Sequence, residues 1–330
     1  MSYDPKKPRI LVALGGRSSE REVSIKTGIA VSLALEKKGY PTAVLDTASG
    51  KLMQTPEAQD LEKDPNKLPE VANLPLIDIK RHFQLVFIAM HGRFGEDGGI
   101  QSLLEEIEMP YTGSSPSSSA IAMNKKYTLV QLNANGIKVP HFQSMKSLNE
   151  KLDLQFPVVV KPVGEGSSVG VSICENPADF EFAKKTAFSF GDEIIVEKYI
   201  KGKELTVGIL ELKKDNPEAL PVIEIIPKGK FFDYKAKYDG TTQEICPARI
   251  SPEHAKKAQE IALKTYNALD CHQFARVDMI LTQEGEIYTF DINTIPGLTD
   301  QSLMPKAAKA RGLSFEDLVE TIVKDAIENS

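Results

Sequence analysis

The central part of the chain reads FPVVVKPVGEGSSVGVSI over residues 156–173. Two apolar runs typical of strands flank a loop, 164–170, that holds three glycines and two serines. Glycines let backbone N–H groups approach an anion closely, so the loop is a candidate phosphate-binding loop, with a plain hairpin turn as the alternative. It lacks the G-x-x-x-x-G-K-S/T pattern and joins two strands instead of opening a helix, which excludes a P-loop.

Lys161 ends the first of these strands and places an ammonium group beside the glycine loop. A single lysine at the end of a strand is usually a solvated charge. One that follows three valines and faces a glycine-rich loop is favoured as a phosphate ligand, because its ammonium group is a compact positive charge. We therefore predict that Lys161 contacts a bound phosphate group.

Four polar side chains lie on a predicted antiparallel hairpin near the C-terminus. They are Arg276, Asp278, Asp291 and Asn293. Residues i and i+2 of a strand share one face, so three oxygen ligands converge beside one guanidinium if the hairpin brings the two faces together. Magnesium prefers such ligands, usually one or two carboxylates plus substrate phosphates. The cluster predicts a metal–ATP site, with a solvated face and a surface Arg–Asp pair as the alternative.

The first third of the chain alternates strands and helices. Apolar runs predict strands at 9–14, 42–46 and 85–90, and a second helix is expected at 99–107. Ser19-x-x-Glu22 predicts a capping box and a helix from about Glu20 to Lys38, which Gly39 ends. This order is typical of an open α/β unit with a parallel sheet.

Two glycine-rich loops follow strands of this unit, at 15–16 and 91–98. The carboxyl ends of parallel strands are where α/β sheets bind ligands. Neither loop fits G-x-G-x-x-G, which disfavours a dinucleotide fold. Residues 50–80 are rich in proline and charge and are predicted to form an irregular connection.

The remaining two thirds predict a smaller α+β unit and then a larger one. A serine-rich boundary at 113–119 precedes a helix over about 119–134, and Asn176-Pro177 is a strong helix start. The other expected elements are strands at 156–162, 171–173, 193–200, 204–211 and 220–226, a helix at 251–269, the hairpin, and two C-terminal helices, the second capped at Ser314.

Composition narrows the classes of partner. Forty basic and forty-six acidic side chains give a formal charge of −6, whereas nucleic-acid binders usually carry a basic excess. The three cysteines are far apart, which disfavours disulfides and a zinc site. No apolar run is long enough for a signal peptide or a membrane span, so a soluble, cytoplasmic protein is expected.

Seven blocks of the chain match one known family in that family's order. They are GGRSSEREVS (15–24), HGRFGEDG (91–98), PYTGS (110–114), KPVGEGSSVGVS (161–172), FFDYKAKY (231–238), ARVD (275–278) and DINTIPGLT (291–299). Through them the chain resembles, almost from end to end, the D-alanine–D-alanine ligases of the ATP-grasp superfamily. One block arises easily by chance, whereas seven in order do not.

The resemblance implies an α/β and α+β fold of three-domain ATP-grasp architecture, with an open parallel-sheet N-terminal domain. The expected domains are an N-terminal substrate domain (1–113), a central ATP-grasp subdomain with the phosphate loop (114–200), and a C-terminal ATP-grasp subdomain with the metal site and a mobile loop (201–330). ATP is expected between the second and third domains.

The resemblance also implies a two-step reaction in peptidoglycan precursor synthesis. ATP phosphorylates the carboxylate of one D-alanine, and the amine of a second D-alanine displaces the phosphate. The expected cosubstrate is ATP, with two Mg²⁺ ions, or Mn²⁺ in their place. D-alanine and ATP are the expected partners of a homodimer that binds neither nucleic acid nor membrane.

Four residues match the site of the first D-alanine. Glu20 resembles the residue that binds its ammonium group, with Ser167 and Tyr238 as hydrogen-bonding partners. His91 is similar to a histidine that lines this pocket.

Other residues match groups that act on ATP, the metals and the second substrate. Arg276 and the backbone of Gly297 resemble the groups that stabilise the tetrahedral intermediate, and Ser302 and Leu303 resemble the site for the second carboxylate. The residues that match phosphate contacts are Lys125, Lys161, Ser168 and Lys237, those that match adenine and ribose contacts are Glu197, Lys198, Ile200 and Glu204, and those that match metal ligands are Asp278, Asp291 and Asn293.

Three positions depart from the family's usual residues. Asp291 stands where glutamate is usual, Phe232 where tyrosine is usual and Asn124 where aspartate is usual. The competing interpretations are a D-alanine–D-lactate or D-alanine–D-serine ligase, another ATP-grasp carboxylate–amine ligase, and an inactive ATP-binding module. Tyr238 favours an amine acceptor over D-lactate. The block around Glu20 lies outside the ATP core that the superfamily shares, which disfavours another ATP-grasp ligase. The retained metal ligands disfavour an inactive module.

Overall fold

The computed structural model describes residues 4, 6–65, 76–212, 216–226 and 242–328. In this part of the chain, helices pack on three β-sheets. The strands are β1 (Ile10–Leu14), β2 (Thr42–Asp46), β3 (Lys51–Met53), β4 (Leu85–Ile88), β5 (Phe142–Met145), β6 (Val158–Pro162), β7 (Ser172–Cys174), β8 (Ile194–Lys198), β9 (Lys203–Glu211), β10 (Pro217–Ala219), β11 (Ile223–Ile226), β12 (Gln243–Ile245), β13 (Phe274–Leu281) and β14 (Ile287–Asn293). The helices are α1 (Arg21–Lys37), α2 (Thr55–Ala58), α3 (Leu76–His82), α4 (Gly99–Glu106), α5 (Pro116–Met123), α6 (Lys125–Ala134), α7 (Pro177–Phe188), α8 (Pro252–Ala268), α9 (Leu303–Ala310) and α10 (Phe315–Glu328).

The first sheet has the order β3-β2-β1-β4, and β1 is parallel to both β2 and β4. Every residue of β1 is buried, and its alternate side chains point to opposite faces of the sheet. Ile10, Val12 and Leu14 enter one hydrophobic core, while Leu11 and Ala13 enter another. The prediction of an open α/β unit with a parallel sheet is confirmed, with β3 added as an antiparallel edge strand.

The other two sheets are antiparallel. The central sheet has the order β5-β8-β6-β7, and the C-terminal sheet has the order β12-β11-β9-β13-β14 with β10 paired to β9. The predicted starts of α7 and α8 are confirmed, because Asn176 accepts hydrogen bonds from the N–H groups of Ala178 and Asp179 and Ser251 accepts one from His254. Strands β5, β10 and β12 were not predicted, and each is only three or four residues long.

Two predicted elements differ from the structure. The connection at 50–80 contains β3, α2, a 3-10 turn at Gln59–Glu62 and α3, so the prediction of an irregular segment is wrong over its described residues. The helix expected over 119–134 is two helices that meet at Asn124. The Asn124 side chain accepts a hydrogen bond of 3.1 Å from the N–H of Tyr127 and so begins α6 where α5 ends.

The predicted capping box at the start of α1 is also wrong. The residue that caps α1 is Glu20, with no side-chain cap, and Ser19 Oγ instead donates to Glu165 in the glycine loop over 3.4 Å. The carboxylate of Glu22 faces Lys26 one turn later, with their charged atoms 2.7 Å apart. Both side chains that the box required therefore have other partners. The end of α1 before Gly39, whose φ is +81°, is confirmed.

The last helix returns to the first sheet unit. α10 packs against α1, and Leu318, Val319 and Ile322 of α10 belong to the same hydrophobic core as Ile10. None of the described helices combines the length and the apolar character that a membrane span requires. The boundaries of the three predicted domains stay predictions.

Candidate active site

A single cleft of about 1100 Å³ collects side chains from all three sheets. Seventeen of the nineteen predicted site residues line it: Glu20, His91, Lys125, Lys161, Ser167, Ser168, Glu197, Lys198, Ile200, Glu204, Arg276, Asp278, Asp291, Asn293, Gly297, Ser302 and Leu303. The other two, Lys237 and Tyr238, lie outside the described residues. Blocks that are distant in the sequence thus meet in one cavity.

The glycine loop is the turn of an antiparallel hairpin between β6 and β7. Ser167 and Ser168 in this loop have φ angles of +48° and +59°. Non-glycine residues rarely occupy this left-handed region, and such strain is concentrated at functional sites. The loop is therefore a hairpin turn in geometry, with two consecutive serines in a left-handed conformation that non-glycine residues rarely adopt.

Glu20 lies at the point where α1 meets the glycine loop. Its carboxylate is buried and accepts a hydrogen bond from the hydroxyl of Ser167. A Cβ atom at position 166 would lie only 2.4 Å from Glu20 Oε2, so this close approach requires glycine. A buried carboxylate beside hydroxyl groups is a suitable anchor for a substrate ammonium group.

His91 lies behind Glu20 and is 4% exposed. Its Nε2 is 2.9 Å from the hydroxyl oxygen of Thr27, and its Nδ1 is 4.0 Å from a carboxylate oxygen of Glu96. Burial acts to lower the pKa of His91, but the carboxylates of Glu96 and Glu20 outweigh burial and raise it. The pocket therefore favours the charged imidazolium form.

Two lysines face the cleft from the central sheet and its flanking helix. Lys125, the first residue of α6, donates from Nζ to the backbone carbonyl of Glu165 in the glycine loop. Lys161 Nζ is 2.8 Å from the carboxylate of Glu197, and both side chains are buried. The same ammonium lies 5.0 Å from the centre of the Phe290 ring. The lysine charges are thus held in place inside the cavity.

The segment predicted to contact adenine and ribose runs from β8 into β9. Lys198 Nζ donates to the backbone carbonyls of Gln155 and Phe156, over 3.0 and 3.3 Å. Ile200 and Glu204 follow it along the wall of the cleft. An apolar side chain between polar ones suits a heteroaromatic ring with hydrogen-bonding edges.

Arg276 and Asp278 form a paired group on β13. The guanidinium donates to both oxygens of Asp278, over 3.0 Å and 2.9 Å, and Thr206 Oγ1 donates to one of them over 2.6 Å. Burial acts to lower the pKa of Arg276, but Asp278, Asp291 and Glu96 outweigh burial and raise it. The guanidinium therefore stays charged inside the cleft, where its remaining N–H groups are available to stabilise negative charge.

The hairpin brings the four polar residues together as predicted. In the register of β13 and β14, Arg276 lies opposite Asn293 and Asp278 lies opposite Asp291. The register shifts beyond Asp278, where Phe290 is the extra residue of a β-bulge. The bulge lets Phe290 and Asp291, although neighbours in the chain, both line the cleft.

The donor set on this hairpin fits a hard cation that arrives with a phosphate compound. It consists of two carboxylates and the amide oxygen of Asn293, and this oxygen also accepts a hydrogen bond of 2.8 Å from the N–H of Ile295. Across the described ranges, no group of three or more His, Cys, Asp and Glu side chains is arranged to hold a metal. Magnesium in ATP sites typically takes only one or two carboxylates from the protein.

The remaining predicted residues surround the start of α9. Ser302 is its N-terminal cap residue, and its hydroxyl lies 2.8 Å from Thr299 Oγ1 and accepts from the N–H of Thr299 over 3.1 Å. A Cβ atom at Gly297 would lie 3.0 Å from Ser302 Oγ. Leu303 opens the helix at the wall of the cleft. The first turn of a helix attracts a carboxylate through its N–H groups and its dipole.

Four residues that contact predicted site residues were themselves not predicted. They are Thr27, which contacts His91; Glu96, which raises the pKa of His91; Thr206, which donates to Asp278; and Phe290, which packs on Lys161. Glu96 lies in the glycine-rich loop at 91–98, which the sequence predicted as a candidate ligand-binding loop. The other three depend on contacts between distant elements, which leave no local signal.

Comparisons with known proteins bear on this geometry. The chain matches the profile for the D-ala D-ala ligase N-terminus over residues 9–114 and the profile for the D-ala D-ala ligase C-terminus over residues 126–324. It is 41% identical to a D-alanine–D-alanine ligase of Trichlorobacter lovleyi, over 97% of this chain and 96% of that protein. It is 40% identical to one of Thermotoga maritima, over 96% and 97%.

Two solved structures have the same overall architecture. The VanG D-Ala:D-Ser ligase from Enterococcus faecalis superposes with a TM-score of 0.83 at 31% identity, over 97% of this chain and 100% of that one. The D-alanine–D-alanine ligase from Bacillus anthracis, solved with ATP, superposes with a TM-score of 0.77 at 31% identity, over 98% of each chain.

Proposed function

The chain belongs to the D-alanine–D-alanine ligase family, and we propose that its cleft divides the ligation of two D-alanines among the residues described above. It is an ATP-dependent ligase of ATP-grasp architecture that joins two D-alanines for peptidoglycan synthesis. The observation that carries the proposal is the convergence of the Glu20–Ser167 pair, the two lysines and the Asp278–Asp291 pair in one cavity. Each group has a distinct part in the reaction.

The first step transfers the γ-phosphoryl group of ATP to a carboxylate oxygen of the first D-alanine, and ADP leaves. Glu20 holds the ammonium group of this substrate, and Ser167 keeps the carboxylate of Glu20 in place through their hydrogen bond. Lys125 and Lys161 neutralise the phosphates, with Ser168 and Lys237 as further contacts. Phosphoryl transfer depends mainly on such positioning and charge stabilisation.

The second step is attack by the amine of the second D-alanine on the acylphosphate carbonyl. The tetrahedral intermediate carries an oxyanion, which Arg276 and the N–H of Gly297 stabilise. It collapses to the peptide with loss of phosphate. Ser302 and Leu303 hold the carboxylate of the second substrate at the start of α9, so that its amine points towards the acylphosphate.

The oxygen donors of the hairpin complete the site. Asp278, Asp291 and Asn293 would hold two Mg²⁺ ions, or Mn²⁺, together with the ATP phosphates. The bound cations supply positive charge that neutralises the triphosphate. Glu197, Lys198, Ile200 and Glu204 bind adenine and ribose.

We further propose a homodimer in the cytoplasm, where ATP is abundant, and sedimentation velocity tests the dimer.

A direct assay tests the function. ADP release is measured with D-alanine, L-alanine, D-serine and D-lactate, and the products are identified by mass spectrometry. We expect release that depends on D-alanine and yields the D-alanyl-D-alanine dipeptide. The D-serine arm is essential, because a D-Ala:D-Ser ligase is among the similar structures. ADP release that does not depend on D-alanine contradicts the proposal. A main product that joins D-alanine to D-serine or D-lactate contradicts it as well.

Replacement of Lys161 by methionine is expected to weaken ATP use by about ten- to a hundredfold, since a hydrogen bond between charged groups contributes about 1.5–3 kcal/mol. The buried carboxylate of Glu197 then loses its partner, which also destabilises the fold. Michaelis constants for ATP and thermal unfolding separate the two effects.

Two control variants accompany this measurement. The double variant Lys161→Met/Glu197→Gln should recover the melting temperature without recovering ATP use. Lys126→Met, which removes an ion pair with Glu193 away from the cleft wall, should leave the Michaelis constant unchanged. If Lys161→Met keeps wild-type kinetics, Lys161 is not a phosphate ligand.

Tyr238→Phe is expected to leave ATP binding unchanged and to slow peptide formation by about tenfold, because it removes the hydroxyl that the family resemblance assigns as a hydrogen-bonding partner of the first substrate's site. The same change should narrow the difference between D-alanine and D-lactate as acceptors. Rates with both acceptors and nucleotide affinity check it. Equal rates for variant and wild type would reduce Tyr238 to a packing role.

A further inference from the structure

An ion pair that belongs to none of the assigned groups lies at the end of the cleft near α9. The ammonium of Lys306 contacts the carboxylate of Glu244 on β12. Both residues line the cavity, and their side chains are 33% and 13% exposed. The pair therefore lies in the wall of the site, where its two charges face whatever binds there.

The position of Lys306 relates this pair to the second substrate. The N–H of Lys306 donates to the backbone carbonyl of Ser302 over 3.2 Å, so the two residues are one helical turn apart and about 6 Å apart along the axis. Residues i and i+4 lie on one face of a helix, and Ser302, Leu303 and Lys306 all line the cleft. Lys306 thus lies one turn along α9 from Ser302, the residue proposed to hold the second carboxylate.

The two charges of the pair have opposite effects on a carboxylate bound at that position. Together Lys306 and Glu244 carry no net charge, so they act only weakly on a third group. Alone, the ammonium would attract the carboxylate of a substrate and the Glu244 carboxylate would repel it. The two single removals must therefore change the affinity for a carboxylate-bearing acceptor in opposite directions.

We propose that the balance of charge between Lys306 and Glu244 sets the affinity of the cleft for the carboxylate of the second D-alanine. This inference rests on the proposed function. Glu244 restrains Lys306 so that the carboxylate is held by Ser302 and the first turn of α9, and the amine stays aligned for attack. Lys306 in turn neutralises Glu244, which would otherwise repel the acceptor. The pair acts on the affinity for the acceptor and takes no part in bond making or breaking.

The test uses Lys306→Met, Glu244→Gln and the double variant, with the Michaelis constants for the two D-alanine sites resolved from ADP release. We expect Lys306→Met to raise the second constant by about three- to tenfold and Glu244→Gln to lower it by a similar factor, the range for a partly exposed charge one helical turn away. The double variant should return close to the wild-type constant. The constants for ATP and for the first D-alanine should stay unchanged, and the shifts should shrink in 0.5 M salt, a concentration at which the Debye length is about 4 Å.

Arg311→Met is the matched control. Arg311 follows the last residue of α9 and pairs with Glu218 over 3.1 Å, and it does not line the cleft. Its replacement removes a cation from the same helix and should leave the second Michaelis constant unchanged. If Lys306→Met fails to fold, Glu244→Gln alone still tests the proposal. Loss of a merely structural ion pair would not lower the second Michaelis constant, whereas the proposed charge effect would.

The outcomes separate this inference from the proposed function. Shifts of the second constant in the same direction for both single variants, or no shift in either, overturn the role of the pair while the wild-type enzyme stays an active ligase. A wild-type protein without ADP release that depends on D-alanine contradicts the proposed function instead.

Discussion

Replacement of Asp291 by alanine is expected to reduce ligation with magnesium by more than about a hundredfold, because it removes one of the two carboxylates proposed to hold the cations that accompany the triphosphate. Asp291 lies directly opposite Asp278 in the hairpin register, so the two carboxylates form one donor group. With a single carboxylate left, the protein contributes one charge where the proposed site needs two. Ligation rates against magnesium concentration measure the loss.

Two further variants at this position separate charge from shape. Asp291→Asn keeps the size of the side chain and removes the charge, so it should resemble the alanine variant in rate while it keeps the wild-type melting temperature. Asp291→Glu should stay active, because the longer side chain carries the family's usual carboxylate into the same cleft. Magnesium tolerates little slack around its distance of about 2.0–2.1 Å, so we expect a changed magnesium dependence in the glutamate variant.

The result that would contradict this assignment is simple. An alanine variant with wild-type activity and wild-type magnesium dependence means that Asp291 is not a metal ligand. The hairpin would then carry only Asp278 as a candidate carboxylate donor among the four residues paired across it. In that case the metal assignment on β14 would have to be withdrawn.

Arg276→Lys is expected to lower the rate of peptide formation by about a hundred- to a thousandfold, the loss seen when a group that stabilises an oxyanion is removed. Lysine keeps the charge, but it cannot donate to both oxygens of Asp278 and also face the substrate as a guanidinium does. ATP affinity should change little, because the phosphates are assigned to other residues. Single-turnover rates and nucleotide affinity together test this.

A second arginine provides the control for this substitution. Arg249 also donates to a carboxylate, that of Glu224, in the same C-terminal region, but it does not line the cleft. Arg249→Lys should leave ligation unchanged. If Arg276→Lys turns over at the wild-type rate with unchanged stability, the guanidinium is only a structural partner of Asp278.

Local patterns predicted much of the fold. The apolar runs of the first third predicted a parallel sheet, and Asn176 and Ser251 predicted the starts of α7 and α8, because caps and periodicity act within a few residues. The capping-box prediction failed because of a distant contact. Ser19 satisfied the pattern of a capping box, yet its hydroxyl reaches the glycine loop, which is far away in the chain and absent from any local pattern.

The family and the reaction class could be read from the sequence, since seven ordered blocks, including ARVD and DINTIPGLT, carry them. The sequence also determined that Arg276 and Asp278 share a face and that Asp291 and Asn293 do, because strand periodicity is a property of the backbone. The tertiary structure decided which of these groups meet. Ser167 contacts Glu20 across 147 residues, Thr206 joins Asp278 through the pairing of β9 with β13, and the bulge turns Phe290 towards Lys161. Such contacts depend on how separate elements pack, and no short stretch of sequence encodes that packing by itself.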